Sequence, residues 1–412
     1  MKQLYKKIKR CRICNSKNLI KYLSLGKTPL ANSFIEPKNI NKKELKFPLE
    51  VLYCKNCSLS QLSIVVNPKL LFSKYVYRSS ISKTFQNHCA KMAEKVIKMI
   101  KSYKNELVVD IASNDGCLLK QFKNIGFKTL GVEPAKNLAD IANLNGIETI
   151  SSFWSIATAK KNLKNYGKAK VITATNILAH VDDLNKFLKA VNILLKKDGL
   201  FIVEVPYLYH LLTKNEFDTI YHEHLSYFLV KPLKKLYENN DLYIIKIEKY
   251  PIHGGSLRIY ASKNNLKEDT SVREFLNFEN KNKLYDINTY KNFHKEVKKI
   301  KKDFLKLLNQ LKNKKKKVVA YGASAKGNTL LNYCGINKNL ISFTVDDTPE
   351  KQNKFAPGSK IPIKDASYLE KEKPGYIVLL AWNFAKEIMQ KTEEYRKRGG
   401  KYIIPIPEVR VV

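Results

Sequence analysis

Four cysteines constrain this chain more than any other residues. Cys11 and Cys14 form one Cys-x-x-Cys pair, and Cys54 and Cys57 form a second. A Cys-x-x-Cys turn sets two thiolates on one side of a knuckle, and two knuckles supply four sulfurs for a tetrahedral zinc ion. With sulfur at all four positions no place remains for water, so the predicted site is structural and helps fold a region too small for its own core. The competing reading is four unligated core cysteines. The 39 residues between the pairs predict an inserted hairpin. Cys89, Cys117 and Cys334 read as small core filler. Seven cysteines, an odd number with four in pairs, point to a reducing cytoplasm and a metal rather than to disulfides.

The formal net charge of +38 over 412 residues suggests a nucleic-acid binder at first. Only eight of the 75 basic residues are Arg, however. Arg is the favoured residue for bidentate phosphate and base-edge contacts, so the charge reads as a solvated Lys coat with some attraction for anionic ligands. A 44% hydrophobic and 10% aromatic composition excludes a disordered polycation. No apolar run approaches the 18 or so residues of a spanning helix. The basic start is followed by Cys-Arg-Ile-Cys instead of an apolar core, which argues against a signal peptide.

Three regimes follow one another. Residues 1–75 carry the cysteines and are loop-rich. Residues 76–265 alternate short apolar strands, at 107–112, 129–133, 171–175, 200–205, 242–249 and 256–261, with helical stretches. That rhythm predicts an α/β domain, a mostly parallel Rossmann-like sheet with helices on both faces, closed by an antiparallel hairpin. Residues 266–412 open with Phe293, Val297, Ile300, Phe304, Leu307 and Leu311 at spacings of 4, 3, 4, 3 and 4, an amphipathic helix packed on a sheet. Lys314–Lys317 reads as a solvated linker, and a second α/β unit follows with strands at 318–321, 342–345, 376–381 and 402–406.

Ligands of open α/β sheets bind beyond the carboxyl ends of the strands. After the first strand of the middle region comes Asp110-Ile-Ala-Ser113-Asn114-Asp115-Gly116. One glycine serves a pyrophosphate poorly, whereas the acidic and amide side chains suit an amine-bearing ligand. Glu133 ends the second strand, where a carboxylate can accept both hydroxyls of a ribose. This pattern is that of S-adenosylmethionine methyltransferases, or else of a plain α/β domain with a capping Asp. Asn176-Ile-Leu-Ala-His180 follows the third strand, Tyr221-His222-Glu223-His224 lies beyond the fourth, and His253-Gly254 sits in the last turn. Five of seven histidines, His210 included, thus fall in loops of one domain, a cluster suited to proton transfer or to a second metal. Taken singly, each is more often a structural residue.

Taken together, these segments resemble the sugar C-methyltransferases that act on nucleotide-linked 4-keto-deoxysugars. The resemblance runs through Leu30-Ala31-Asn32, both cysteine pairs, Tyr75-Val-Tyr77-Arg-Ser-Ser and Ser113-Asn-Asp-Gly. It continues through Asn176 to His180, Tyr221 to His224, His253-Gly-Gly-Ser-Leu-Arg258 and Tyr321 to Leu330. It implies a zinc domain over 1–75, a methyltransferase domain over 76–265 and a Rossmann-like substrate-binding domain over 266–412.

The implied chemistry removes a proton from the carbon beside a ketone and lets the enolate carbon take the methyl group. The resemblance points to His224 as the base, with Tyr221, His180 and Tyr75 or Tyr77 nearby, and Glu223 orienting His224 or binding a sugar hydroxyl. Asp110, Ser113, Asn114, Gly116, Glu133 and Asn176 would hold the cofactor, with Phe153 or Trp154 facing its sulfonium. The helix start at Ser324, with Lys326, Gly327 and Asn328, would cradle a pyrophosphate. Its rival reading is a Gly-containing turn with an exposed lysine. His253, Gly254, Asp346 and Asn383 would touch base or sugar.

The implied partner is a nucleotide-linked ketosugar, with no nucleic acid and no membrane, bound by a monomer or weak homo-oligomer in the cytoplasm. The rivals are an RNA or DNA methyltransferase with a zinc ribbon and a non-catalytic sugar-nucleotide binding protein. The first would carry Asn/Asp-Pro-Pro-Tyr after the third strand, where Asn176-Ile177-Leu178-Ala179 stands.

Overall fold

A computed structural model describes residues 4–72, 78–100, 104–264 and 268–412, without the side chains of Lys69, Phe72 and His253. The expected domain boundaries at 75/76 and 265/266 lie outside the described residues, as do Tyr75 and Tyr77.

The middle of the chain forms one seven-stranded sheet. Its strands are β1 (Leu107–Ile111), β2 (Lys128–Glu133), β3 (Thr149–Ser151), β4 (Ala169–Thr175), β5 (Leu195–Pro206), β6 (Tyr243–Tyr250) and β7 (Ser256–Ser262). They lie in the order β6-β7-β5-β4-β1-β2-β3. Neighbours among β1 to β5 are parallel, while β7 runs antiparallel to both β5 and β6. The apolar runs of β1 and β4 follow from burial on both faces. Val108, Val171 and Ile202 face a layer built from the helices Lys83–Met99 and Cys117–Asn124. Val109, Ile172 and Val203, one residue on, face the opposite layer with Leu184, Leu188 and Val191 of helix Leu184–Leu194. β3 is absent from the sequence-based strands because three residues carry too little pattern to read.

The cysteine-bearing region is a hairpin, Leu19–Thr28 paired antiparallel with Phe47–Cys54, between the two knuckles. Ser60–Leu62 adds a third strand, and Ser226–Tyr227, from the middle of the chain, adds a fourth. Instead of standing apart, the hairpin shares the main core. Tyr22 and Tyr53 lie 4.9 and 4.7 Å, ring to ring, from Tyr290 of the long helix Ile287–Asn313. His294 on that helix donates to the Tyr22 carbonyl at 2.7 Å. The buried residues of the helix are Tyr290, Phe293, Val297, Ile300, Phe304, Leu308 and Leu311, and half-buried Leu307 packs on the same core, so the expected stripe widens to take in Leu308. A straight helix turns 3.6 residues at a time, and one extra step of four keeps the stripe facing inward.

The last unit is a six-stranded sheet around Val318–Tyr321, with Thr344–Val345 then Ile363–Lys364 on one side and Tyr376–Leu379 then Lys401–Ile404 on the other, all parallel, and Arg410–Val411 antiparallel at the edge. Lys314–Lys317 is exposed between helix and sheet, as expected. Among the described residues no helix is long and apolar enough to cross a membrane.

Beneath the middle sheet's carboxyl edge lies a charged group that the sequence reading passed over. The fully buried Arg258 of β7 donates from Nε to Glu204 of β5 at 2.7 Å, and His88 Nε2 of helix Lys83–Met99 lies 2.8 Å from the same carboxylate oxygen. Arg258→Met leaves that carboxylate buried without its guanidinium and should cost about 3–5 kcal/mol of stability in denaturant titration. The double variant with Glu204→Gln should cost less.

Candidate active site

The two knuckles have matching local geometry. In each, the N–H four residues after the first cysteine returns to its carbonyl, Asn15 to Cys11 at 3.0 Å and Ser58 to Cys54 at 2.8 Å. Asn15 and Ser58 both take positive φ, 57° and 66°. The knuckles bring Cys11 Sγ within 3.5 Å of Cys57 and Cys14 Sγ within 3.5 Å of Cys54, with all four sulfurs inside 4.8 Å. Tetrahedral zinc with bonds of about 2.3 Å requires sulfurs about 3.8 Å apart, so the quartet fits the ion.

The order of the middle sheet reverses between β1 and β4, and a cavity of about 330 Å³ opens beyond their carboxyl ends. After β1 the backbone enters the left-handed region at Ala112, Asn114 and Gly116, with φ of 56°, 54° and 79°. Such a sequence of turns costs free energy at the two non-glycine positions and is characteristic of ligand loops. Glu133 braces the loop: its carboxylate accepts the Asn114 N–H at 2.9 Å and the Ala135 N–H at 2.8 Å. Ser79 and Ser80 N–H groups bind Asn114 and Asp115 side chains at 3.0 Å each. Gly131 on β2 is required here, since a Cβ would stand 2.5 Å from Ser113 Oγ.

Asp110 accepts from Thr173 Oγ1 at 2.6 Å, and burial pushes its carboxyl up to about 7. Glu133 is raised too, again by burial. Ser113 Oγ, Asp115 Oδ1 and Asn176 Oδ1 are buried without hydrogen-bond partners among the described residues. Acceptors in need of donors, beside a carboxylate with lone pairs to spare, fit the ammonium and ribose hydroxyls of S-adenosylmethionine. A second cavity of about 540 Å³ adjoins the first, sharing Ala112, Pro134, Ile177, His180 and Glu223. It is walled by Phe153 and Trp154, an apolar berth beside the first. Of the residues expected around the cofactor, Gly116 alone lines neither cavity; it serves the turn that starts helix Cys117–Asn124.

The catalytic candidates meet on the first cavity's wall. Tyr221, Glu223, His224 and His180 all line it. His224 Nδ1 lies 2.8 Å from the Thr219 carbonyl, and its Nε2 lies 2.9 Å from the Tyr221 hydroxyl. A carbonyl only accepts, so the neutral ring carries its proton on Nδ1 and its lone pair on Nε2. The His180 ring stands 5.0 Å from the His224 ring, and burial pushes its imidazole down to about 4, keeping it neutral near pH 7. Glu223 accepts from Asn32 Nδ2 at 2.7 Å, and burial raises its carboxyl to about 7 despite that bond.

Among the described side chains, the expected five-histidine cluster reduces to His180 and His224. His222 turns toward the hairpin, within 3.2 Å of the Pro48 carbonyl, and borders only the second cavity. His210 lies on helix Leu208–Thr213 against Tyr207 and Tyr209. The His253 side chain is outside the described set.

The expected phosphate cradle at Ser324 is not an open one. Ser324 Oγ caps its own helix at the Gly327 N–H, 3.1 Å, and Asp346 takes the Ala323 N–H at 2.6 Å. An internal carboxylate thus holds the turn just ahead of the helix, and the serine itself caps the helix start. Gly327 packs so close to Leu380 that a Cβ would stand 2.8 Å away, and buried Asn328 donates to the Ala31 carbonyl at 2.8 Å. Ser324, Gly327, Asn328 and Asp346 border neither cavity. Lys326 alone of this group reaches the first cavity, its buried Nζ without a hydrogen-bond partner among the described residues and 5.1 Å from the centre of the Trp382 ring. Gly254 and Asn383 border a third cavity, about 570 Å³, with Lys214, Lys249 and Trp382. The two lysines carry no sequence signal that marks them for a site, whereas Asn32 stands in the Leu30-Ala31-Asn32 stretch of the resemblance, which gives it no role.

Residues 11–72 match a zinc binding domain, 85–247 a methyltransferase domain and 251–407 a C-methyltransferase C-terminal domain. The C-methyltransferase NovU of Streptomyces niveus is 35% identical over 414 residues, covering 100% of this chain and 99% of that protein. A ubiquinone biosynthesis O-methyltransferase of Bartonella tribocorum is 28% identical over 102 residues, 24% of this chain and 41% of that one. The magnesium protoporphyrin IX methyltransferase structure from Synechocystis PCC 6803 is 10% identical with a TM-score of 0.35, covering 47% of this chain and 90% of that one.

Two outcomes are expected of the site. Purified protein should carry about one zinc per chain by elemental analysis, and Cys54→Ala should lose it; a folded, metal-free wild type would contradict the quartet's role. Glu223 has a folded pKa of about 7 against an ordinary 4.5, so the folded protein holds a proton that the unfolded chain has released between those values. Stability owed to this group therefore falls as pH rises through that window, by up to about 3 kcal/mol. Glu223→Gln should melt higher than wild type at pH 8, and the difference should vanish toward the ordinary carboxyl pKa of 4.5.

Proposed function

The chain belongs to the C-methyltransferase family with an N-terminal zinc-binding domain, and from that premise we propose that it methylates C3 beside the C4 ketone of a nucleotide-linked deoxysugar. It is an S-adenosylmethionine-dependent enzyme; when bound, that cofactor supplies an electrophilic methyl on a sulfonium, whose sulfur departs as a thioether. The protein's task is to make a carbon nucleophilic and to hold it in line.

The observation that carries the proposal is the His224 geometry. With Nδ1 tied to the Thr219 carbonyl, Nε2 is the basic atom and borders the same cavity as the cofactor loop. In this reading Nε2 removes the proton next to the ketone, and the released electron pair forms the enolate double bond. The Tyr221 hydroxyl, which donates to Nε2 in the substrate-free site, turns its hydrogen to the enolate oxygen once the substrate's C–H stands at Nε2. The charge it meets develops only as the proton leaves, and neutral His180 lines the same wall. Glu223, near its midpoint at neutral pH, holds a sugar hydroxyl. A positioned base contributes about 10²- to 10⁴-fold, and alignment of carbon and methyl group contributes further.

A nucleotide-linked acceptor is supported by the third cavity, where Lys214 and Lys249 offer charge to a diphosphate and Trp382 a face to a base. This replaces the helix start at Ser324 as the diphosphate site. The three-unit division near residues 75 and 265 belongs to the same proposal.

In deuterated water without cofactor, the protein should wash deuterium into the carbon beside the ketone of its sugar substrate. His224→Gln should slow that exchange about 10²- to 10⁴-fold, read by mass spectrometry. Exchange at the wild-type rate would overturn His224 as the base.

A further inference from the structure

Asn32 lies in the first subdomain, 191 residues from Glu223 in sequence, yet its amide donates to Glu223 Oε1 at 2.7 Å on the wall of the reaction cavity. The loop that carries it is held from the far end of the chain. Asn328 donates to the Ala31 carbonyl at 2.8 Å, one residue before Asn32. Ile35 and Phe355 exchange backbone hydrogen bonds of 2.9 Å, and the Gly358 N–H binds Glu44 at 2.9 Å. Lys354 pairs with Glu36 at 3.0 Å. Three stretches distant in sequence therefore converge on one carboxyl group: Asn328 holds Ala31, the next residue is Asn32, and Asn32 holds Glu223.

We infer that Asn32 is a positioning residue for methyl transfer, delivered by the zinc-folded hairpin region and locked by the C-terminal unit. A carboxyl group on a loop has several free torsions and two equivalent oxygens. One donated hydrogen bond to Oε1 selects an orientation and reserves Oε2 for a hydroxyl of the substrate. An amide serves this purpose where Asp would repel and Leu would leave a buried carboxylate oxygen unsatisfied. The zinc site thereby gains a consequence for turnover, because the hairpin it folds carries part of the reaction wall. The inference rests on Glu223 facing the acceptor, as proposed above.

The test is a double-mutant cycle on the full-length zinc-loaded protein. Asn32→Ala removes the donor and adds no charge beside Glu223. Its kcat should fall about 10- to 100-fold, the range for a hydrogen bond to a charged group, with zinc content and S-adenosylmethionine affinity by calorimetry unchanged. In a Glu223→Gln background the same substitution should cost less than about threefold, because residues that act through one another are not additive. A merely structural asparagine would cost the same in both backgrounds, and that equality overturns the inference; so does Asn32→Ala activity within about twofold of wild type. If wild type exchanges no α-proton in any ketosugar, the proposed function has failed, and melting at pH 8 reads the pair instead. Asn32→Ala should then lower Tm more when Glu223 is intact than in the Glu223→Gln protein; equal effects overturn the pairing.

Discussion

A parallel sheet covered on both faces has no surface left for chemistry except the edge where its strands end. That constraint arranges this protein. Val108 and Val109, or Val171 and Ile172, point their alternating side chains into the two helical layers. Reactive groups are thus left to the segments after β1, β2, β4 and β5, and the reversal of strand order between β1 and β4 opens a crevice there. Everything else closes that crevice from outside. The Tyr221–His224 turn is tied down by the Leu225 N–H on the Ala179 carbonyl, and residues 226 and 227 go straight on to join the cysteine region's sheet.

The zinc-bearing region is for that reason no detachable module. Its hairpin is buried against the long helix, and its first loop reaches the reaction cavity. Zinc here compensates for a segment with few helices and long loops, whose geometry still has to be held closely enough to present one amide. The charge follows a similar division. The Lys coat stays in solvent, while Arg258 is buried against Glu204, and Lys326 is carried into the cavity with its ammonium buried.

Much of this was legible in the chain beforehand. The knuckles, β1 with its acidic loop, Glu133 and the Tyr221–His224 string are local features, and a local feature survives translation into three dimensions. What escaped is non-local. Asn328 and Ser324 looked like ligands because a strand, glycine turn and helix resemble a phosphate site, but Ser324 caps its own helix, Asn328 holds the Ala31 carbonyl and Asp346 holds the turn ahead of them. Five histidines in loops looked like one cluster, yet His210 and His222 point away from it. Asn32 stands in one of the stretches that carry the resemblance and His88 on an unremarkable one, yet nothing in either neighbourhood foretells partners 191 and 116 positions away.

The chemistry turns on where the methyl group lands. Cofactor labelled with ¹³C in its methyl, supplied with a uniformly ¹³C-labelled nucleotide ketosugar, reports this directly by carbon NMR. A base at His224 beside a ketone predicts a methyl resonance split by one-bond coupling to the ring carbon adjacent to the carbonyl. A methyl carbon attached to oxygen, without that coupling, would contradict an enolate and with it the roles given to His224, Tyr221 and Glu223.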